Sequence, residues 1–156
     1  NISAIKKSIE ALSNLYGKLI QTNVEEVFTF PSPKALLKAS DVDLRKCGLG
    51  YRIPYIQDAA RKVCEKELDL ESLNFQSDTL ILEKLKQIKG VGNKVANCVM
   101  LFSYGRTSCV PIDIWIKRII DTKYMGDDPF ASFGSNAGII QQYVFYYAQH
   151  HKAEVK

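Results

Sequence analysis

A pair of glycines between two helical patterns constrains the fold of this chain more than any other feature. The segment 88–94 reads Ile-Lys-Gly-Val-Gly-Asn-Lys. Apolar residues recur at helical spacing up to this point, at Leu82, Leu85 and Ile88. Gly90 and Gly92 interrupt the pattern, and because glycine has no side chain they allow a tight turn with bare backbone at the surface. The sequence therefore predicts a helical hairpin over about 82–104.

The second helix of this hairpin is predicted to begin near Asn93 and to end at Gly105. We expect its apolar side to comprise Val95, Val99 and Phe102. Free amides at a helix N-terminus, together with the helix dipole, form a site for an anion such as a backbone phosphate of a nucleic acid. A plain helical hairpin, in which the glycines only permit close packing, is the alternative, because a short Gly-Val-Gly pattern is a weak signal.

Lys94 lies in the first turn of this second helix and is followed by the apolar residues Val95, Cys98 and Val99. An apolar wall and a helix N-terminus both favour the neutral form of an amine, which is a nucleophile. Cys98 is four residues further on and shares the helix face of Lys94. A solvated lysine and a small buried cysteine are the simpler interpretations, and position alone favours them.

Asp113 follows Val-Pro-Ile and precedes isoleucines at helical spacing. This arrangement predicts a helix N-cap, whose carboxylate accepts hydrogen bonds from the first free amides. A negative charge fixed in this way can also stabilise a cationic transition state or steer a nearby amine. The structural and the functional interpretations of Asp113 are therefore compatible.

The composition is that of one globular domain, predicted to span residues 1–156, with 46% hydrophobic and 24% charged residues. The formal net charge is +4, so phosphate binding would depend on a local basic patch. Candidates for this patch are Lys89, Lys94, Arg106, Lys117, Arg118 and Lys123. A solvated basic face is the commoner origin of such a cluster.

Helical patterns run along the whole sequence and no strand alternation is found, so the predicted fold class is all-α. The first predicted helix has an apolar stripe from Ile2 to Leu15, and two short helices capped by Ser32 and Ser40 follow it. The next helix is predicted over 53–68, with Ala60, Val63 and Cys64 inward. Further helices are predicted over 77–88, in the hairpin, over 113–123 and after Ser135, which caps the last one.

Cysteine spacing and hydropathy exclude several classes of protein. Cys47, Cys64, Cys98 and Cys109 form no Cys-x-x-Cys pair, so neither a zinc site nor a disulfide framework is predicted. We interpret them as reduced thiols of an intracellular protein. The sequence has no signal-peptide pattern and no apolar run long enough to span a bilayer.

Two motifs together resemble the signature of a known superfamily. The run Ile-Lys-Gly-Val-Gly-Asn-Lys-Val-Ala, with Val-Pro-Ile-Asp about twenty residues later, resembles the helix-hairpin-helix and Gly/Pro-Asp signature of base-excision DNA glycosylases. The resemblance implies that Lys94 attacks C1′ of the damaged nucleotide and that Asp113 is essential. It also implies a bifunctional enzyme, a glycosylase with AP-lyase activity, because monofunctional members lack this lysine.

A loop in the first half of the chain is similar to one found in the 8-oxoguanine DNA glycosylases. Residues 48–52 read Gly-Leu-Gly-Tyr-Arg. The similarity implies that Tyr51 wedges into the DNA stack and that Arg52 contacts the base opposite the lesion. Ala4 aligns with a segment where eukaryotic relatives have an arginine that reads cytosine, so discrimination of the opposite base is expected to be weaker here.

A segment near the C-terminus resembles the lesion-pocket helix of the same enzymes. Residues 137–145 read Ala-Gly-Ile-Ile-Gln-Gln-Tyr-Val-Phe. The resemblance implies that Gln141 hydrogen-bonds the edge of the flipped base and that Phe145 stacks on its face. Cys98 lies where the family places a cysteine against the opposite face.

The resemblance also assigns contacts to the hairpin. It implies that duplex DNA is bound by Lys89 and by the backbone of Gly90, Val91 and Gly92. Trp115 is a further predicted DNA contact, at a position where many members have histidine. No cofactor is expected to be required, although backbone carbonyls of Lys86, Ile88 and Val91 would be able to hold a structural Na⁺ or K⁺ ion.

The implied function is base-excision repair, in which a monomer removes 8-oxoguanine from duplex DNA without any membrane partner. The expected location is the cytoplasm or nucleoid of a bacterium, or the nucleus of a eukaryote. The β-rich N-terminal domain of the family is expected to be absent from this chain. A four-cysteine iron–sulfur cluster, as in endonuclease III-like relatives, is not expected because no cysteine follows Cys109.

Two alternative functions remain open at this point. The first is a glycosylase for another oxidised base, such as a pyrimidine, against which Gln141 and Phe145 argue. The second is a non-catalytic helix-hairpin-helix module that only binds DNA. The presence of both Lys94 and Asp113 favours an enzyme.

Overall fold

The computed structural model describes residues 2–151, and helices make up most of this part, so the predicted all-α class is confirmed. The elements are α1 (Ile2–Tyr16), β1 (Leu19–Gln21), β2 (Glu26–Phe28), α2 (Pro33–Lys38), α3 (Asp41–Lys46), a 3₁₀ turn (Gly50–Arg52), α4 (Ile53–Cys64), α5 (Leu70–Leu73), α6 (Asp78–Lys86), α7 (Asn93–Ser103), α8 (Ile114–Lys123), a second 3₁₀ turn (Ala131–Asn136) and α9 (Ala137–His150).

Within residues 2–151 the chain divides into two compact units. Unit 1 comprises the residues up to Leu70 together with Ile88–Gly90, and unit 2 comprises Glu71–Gln87 together with the residues from Val91 onward. Each unit has its own hydrophobic core, as expected for helices that bury one apolar face. The assignment of residues 1–156 to a single glycosylase domain stays a prediction.

The core of unit 1 forms where α2 packs against α4. Its buried residues are Leu12, Leu36, Ala39, Leu44, Cys47, Leu49, Ile53 and Ala60. The predicted caps of α2 and α3 are confirmed, because the hydroxyl oxygens of Ser32 and Ser40 accept hydrogen bonds from the amides of Ala35 and Asp43. The helical stripe of α1 buries only Leu12, and its other large members are exposed: Ile2, Ile5, Ile9 and Leu15.

A short antiparallel hairpin of β1 and β2 was not predicted. Leu19 pairs with Phe28, and Gln21 pairs with Glu26. Its turn is fixed by Thr22, whose hydroxyl accepts from the amide of Glu25 at 3.0 Å and donates to the carbonyl of the same residue at 2.6 Å. Strands of three residues with almost no buried side chain have no alternating pattern, so the sequence gives no signal for them.

In unit 2, α6 packs against α7 and α8 packs against α9. The contacts of α8 with α9 bury Ile116 beside Phe130 and Ala137, and Ile119 beside Ala148. The prediction for the buried side of α7 is wrong at Val95 and Phe102, whereas Val99 is partly buried. Ala96, Met100 and Leu101 are buried, whereas Val95 and Phe102 are 40% and 65% exposed. This helix is apolar on nearly every face, so periodicity does not identify the side that packs.

Two helix boundaries and one cysteine also differ from the prediction. The fourth helix ends at Cys64 rather than at residue 68, and Lys66 adopts a left-handed conformation with a φ of 60° that the helix cannot continue through. Cys64 is exposed instead of inward. The N-cap of α9 is Asn136 rather than Ser135, and no side chain caps this helix.

Among the described residues the four cysteines are unpaired. Cys47 and Cys109 are buried, and burial raises the pKa of both thiols. No helix of the described residues is long and apolar enough to cross a membrane.

Candidate active site

The glycine hairpin places open backbone at the start of α7. Gly90 has a φ of 80°, a conformation that favours glycine. Gly92 is the N-cap of α7 with an extended backbone, and no side chain accepts hydrogen bonds from the first amides of the helix. These amides are therefore available to an anion, which is the arrangement that the sequence predicts.

One cavity in unit 2 brings together the predicted catalytic and lesion-binding residues. It has a volume of about 130 Å³, and its lining is Lys94, Cys98, Phe102, Pro111, Asp113, Gln141, Gln142 and Phe145. Five of these eight were predicted from three separate segments of the sequence: Lys94, Cys98, Asp113, Gln141 and Phe145. Phe102, Pro111 and Gln142 were not predicted as site residues. Such convergence of a few polar groups on an apolar pocket is typical of a binding or active site.

Asp113 is the N-cap of α8, as predicted. Its Oδ1 atom accepts hydrogen bonds from the amides of Trp115 at 3.0 Å and Ile116 at 2.9 Å. These two bonds fix the carboxylate on the wall of the cavity and leave Oδ2 unused in the cap. The cap thus holds a negative charge in place, which is the requirement for electrostatic stabilisation of a developing positive charge.

Lys94 has an exposed side chain in the first turn of α7. Among residues 2–151 it forms no ion pair within 4.0 Å, with Asp113 or with any other carboxylate. It also borders a second, more open cavity of about 460 Å³, whose lining is Lys94, Ile112, Asp113, Ile114 and Lys117. An amine that is not held in an ion pair is free to approach an incoming electrophile.

Gln141 is a buried polar residue, with 2% of its surface exposed. The amide nitrogen of Gln142 donates to its Oε1 atom at 2.5 Å, so the orientation of the Gln141 amide is fixed from the side. Gly138, one turn earlier on α9, donates its backbone N–H to the carbonyl of Thr107 at 2.8 Å. A Cβ atom at Gly138 would lie 2.2 Å from the carbonyl oxygen of Cys109, so only glycine allows this approach.

Tyr51 and Arg52 lie together in the 3₁₀ turn of unit 1. The Tyr51 side chain is 68% exposed, and the guanidinium of Arg52 lies 4.4 Å from the centre of its ring. The preceding Gly48 and Gly50 have φ angles of 77° and 51°. An exposed aromatic ring on a tightly turned loop is suited to insertion between stacked bases.

The predicted basic patch loses one member. Arg106 forms an ion pair with Asp78 at 3.3 Å and donates to the carbonyls of Asn74 and Gln76 at 2.8 and 3.2 Å. Arg106 is thus used inside unit 2, where it holds the residues before α6.

Arg118 lies 5.3 Å from the ring centre of Trp115, so the predicted DNA contact at Trp115 is an aromatic ring beside a cation.

The described residues contain no cluster of three or more His, Cys, Asp or Glu side chains that would hold a metal ion. A site formed by the carbonyls of Lys86, Ile88 and Val91 is of a different kind, and it stays a prediction. The same is true of the DNA contacts assigned to Lys89 and Val91.

A glycine hairpin that precedes a lysine and a capped aspartate defines the class of helix-hairpin-helix proteins of DNA repair. The family described as "HhH-GPD superfamily base excision DNA repair protein" matches residues 1–129, and the chain belongs to this family.

Three relatives are similar over almost all of the chain. A probable N-glycosylase/DNA lyase of Methanothermobacter thermautotrophicus is 32% identical over 96% of this chain and 57% of its own length. The structure of MBOgg1 in complex with a low affinity DNA ligand is 38% identical with a TM-score of 0.87, over 96% of this chain and 55% of that one. The Clostridium acetobutylicum 8-oxoguanine glycosylase/lyase, bound to duplex DNA with cytosine opposite 8-oxoguanine, is 33% identical with a TM-score of 0.88. This similarity covers 97% of this chain and 56% of that one. The chain thus spans slightly more than half the length of these relatives.

Proposed function

We propose that this chain is the catalytic part of a bifunctional DNA glycosylase/AP lyase that removes 8-oxoguanine from duplex DNA. The observation that supports this function most strongly is the cavity bordered by Lys94, Asp113 and Gln141. It combines an unpaired amine, a fixed carboxylate and a buried amide, which are the groups that sugar attack and base recognition require. The relatives with the same fold include an 8-oxoguanine glycosylase/lyase.

The proposed chemistry begins with the amine of Lys94. Its Nζ atom, as the neutral amine, forms a bond to C1′ while the glycosidic bond breaks. The damaged base leaves with the bonding electron pair and takes up a proton, and Nζ releases one. Asp113 stabilises the positive charge that develops on the sugar. The C1′–O4′ bond then breaks, O4′ takes the electron pair and a proton, and a Schiff base forms between Lys94 and C1′. Removal of a proton from C2′ then expels the 3′ phosphate as the C3′–O bond breaks, and the strand is cleaved.

The proposed recognition of the lesion uses the rest of the cavity. A base that has been flipped out of the duplex would be enclosed by Cys98 and Phe145 on its two faces, with the amide of Gln141 at its edge. Tyr51 would fill the stack from which the base has left, and Arg52 would contact the opposite base. The presence of Gln141 and Phe145 in the cavity argues against an oxidised pyrimidine as the substrate.

The proposed partner is duplex DNA with 8-oxoguanine, bound by a monomer inside the cell. Phosphates would be bound by the free amides at the start of α7 and by Lys89, with Trp115 beside the sugar-phosphate backbone. A Na⁺ or K⁺ ion bound by the carbonyls of the hairpin would strengthen the binding of phosphate, and no other cofactor is proposed.

Borohydride trapping tests the proposal directly, because reduction of a Schiff base links protein and DNA covalently. The chain and its Lys94→Gln variant would be incubated with a duplex that contains one 8-oxoguanine. A covalent adduct in the wild type and none in the variant, with equal binding of the duplex, is the expected result. Binding of the duplex without any adduct in the wild type would favour a DNA-binding module, and an adduct only with an oxidised pyrimidine would favour another substrate.

A further inference from the structure

Asp58 on α4 forms a hydrogen bond with the backbone of the hairpin. Its Oδ2 atom accepts from the amide of Lys89 at 2.8 Å, a contact between residues 31 positions apart. The hydrogen bond from the Lys89 amide and, to a smaller degree, the one from Arg61 hold the pKa of the Asp58 carboxyl below its usual range. The carboxylate is also fixed from its other side, where Arg61 donates to Oδ1 at 3.3 Å.

Tyr55, one turn earlier on α4, contacts the hairpin at the next residue. A Cβ atom at Gly90 would lie 2.4 Å from Cδ2 of the Tyr55 ring, so the ring packs directly on the backbone of this glycine. The positive φ of Gly90 and this close approach both exclude a larger residue. Asp58 and Tyr55 therefore hold two successive hairpin residues against the same face of α4.

The same tyrosine also contacts the exposed loop. The rings of Tyr51 and Tyr55 pack edge to face, with their centres 6.1 Å apart and their planes at 81°. Tyr51 in turn lies under the guanidinium of Arg52. A continuous series of contacts thus runs from Gly90 through Tyr55 to Tyr51, entirely within unit 1.

We propose that Tyr55 and Asp58 are positioning residues, which hold the phosphate-binding hairpin at Lys89 and Gly90 in register with the base-stack wedge Tyr51. Asp58 fixes the hairpin backbone through its acceptor oxygen rather than through its charge. Tyr55 transmits the position of the hairpin to the ring of Tyr51. This inference rests on the proposed function, in which the hairpin binds phosphate and Tyr51 wedges into the base stack. The contacts of Tyr55 and Asp58 do not depend on that function.

The first experiment separates the acceptor of Asp58 from its charge. Asn keeps an acceptor oxygen, whereas Leu removes it and leaves the Lys89 amide without its partner. We expect Asp58→Leu to raise the half-saturating duplex concentration in the trapping assay about tenfold, with the trapping rate at saturation unchanged within about twofold. Asp58→Asn is expected to behave like the wild type. Equal defects in both variants, or a loss of the saturating rate alone, would refute the assignment.

Gln57→Ala is a matched control on the same helix. Its side chain donates to Asp41 at 2.8 Å and not to the hairpin, so its loss should leave duplex binding unchanged. Circular dichroism of each variant shows whether the helix content of the protein is unchanged.

The second experiment measures the coupling between Tyr55 and Tyr51. Tyr55→Leu removes the edge-to-face contact, whereas Tyr55→Phe retains the ring. We expect the effects of Tyr55→Leu and Tyr51→Ala on lesion trapping to be non-additive, with the double variant close to Tyr51→Ala alone. Tyr55→Phe should restore most of the activity. Full additivity would mean that the two rings act independently and would contradict the proposal.

A failure of the proposed chemistry can be distinguished from a failure of this inference. If the wild type forms no adduct, the same variants are compared by their affinity for an undamaged duplex at several salt concentrations. Asp58→Leu should then still weaken binding relative to Asp58→Asn, because only the hairpin is involved. Equal affinities of these two variants would overturn the role of Asp58 whatever the catalytic activity.

Discussion

Lys94 and Asp113 border the same cavity without forming an ion pair with each other. Asp113 instead uses one oxygen to cap α8, while the amine of Lys94 remains exposed. An ion pair would hold the amine at the carboxylate and away from an incoming electrophile. The separation of the two groups therefore suits the proposed roles, in which Lys94 is the nucleophile and Asp113 stabilises positive charge.

Asparagine at position 113 separates the cap from the charge. Asn is as good an N-cap as Asp, whereas Ala costs about 1 kcal/mol at such a site. We expect Asp113→Asn to melt close to the wild type and to lose most of its base-release activity, and Asp113→Ala to lose both activity and stability. Thermal melting and single-turnover release of 8-oxoguanine check this. Full activity in the Asn variant would show that Asp113 is only a cap.

Gln142 is expected to control lesion recognition through its hydrogen bond to Gln141. Its amide fixes the Oε1 atom of Gln141, which is buried. Gln142→Leu would leave this oxygen without its donor and allow the Gln141 amide to rotate. We predict a fall in the ratio of activity on 8-oxoguanine to activity on guanine, with the trapping of a preformed abasic site unchanged. Equal losses on all three substrates would contradict this role.

The local features of the site follow from the sequence, whereas its assembly does not. The cap at Asp113 and the helix start after Gly92 depend on neighbouring residues, so their patterns are visible in the chain. Gln141 and Phe145 were placed in the pocket by resemblance, because no local rule joins them to Lys94 across more than forty residues. The hydrogen bond from Lys89 to Asp58 was missed for the same reason.

Two other misses have different physical causes. The predicted buried side of α7 comprises Val95, Val99 and Phe102, and it is wrong at Val95 and Phe102 because most residues of this helix are apolar and more than one stripe has helical spacing. Arg106 was counted in a DNA-binding patch, because composition shows a cation but not its partner. Only the tertiary fold brings Asp78 and two backbone carbonyls to it.

Gly138 should tolerate no side chain. A methyl group there would collide with the carbonyls of Cys109 and Thr107, at 2.2 and 2.9 Å. We expect Gly138→Ala to destabilise the protein by about 1–3 kcal/mol, because α9 must move away from this segment. The movement would displace Gln141, so lesion discrimination should fall as well. Ile139→Ala on the exposed side of the same turn is the control, and a wild-type melting temperature in Gly138→Ala would refute the prediction.

Lys117 is predicted to bind a DNA phosphate beside the reacting sugar. It borders the open cavity with Lys94 and Asp113, one turn along α8 from the cap. Lys117→Gln should weaken duplex binding on any sequence and reduce the slope of log affinity against log salt by about one. Lys34→Gln, an exposed lysine on α2, is the comparison. An unchanged salt slope in Lys117→Gln would mean that this lysine contacts no phosphate.

The ion pairs of Arg61 predict how stability depends on pH. Arg61 pairs with Glu65 at 2.5 Å and with Glu67 at 2.6 Å. Arg61, assisted by Lys62, lowers the pKa of Glu67 from 4.5 to about 2. Because this pKa is depressed in the folded state, the stabilisation is complete above pH 4.5 and is lost as the pH falls towards about 2.

The Arg61→Met variant tests this assignment. Without the guanidinium, Glu67 would titrate closer to its ordinary pKa in the folded state, so the variant should lose less stability than the wild type between pH 5 and pH 2.5. Urea unfolding at a series of pH values measures the difference. We expect the two curves of unfolding free energy to converge as the pH falls, and parallel curves would show that this cluster makes no pH-dependent contribution to folding.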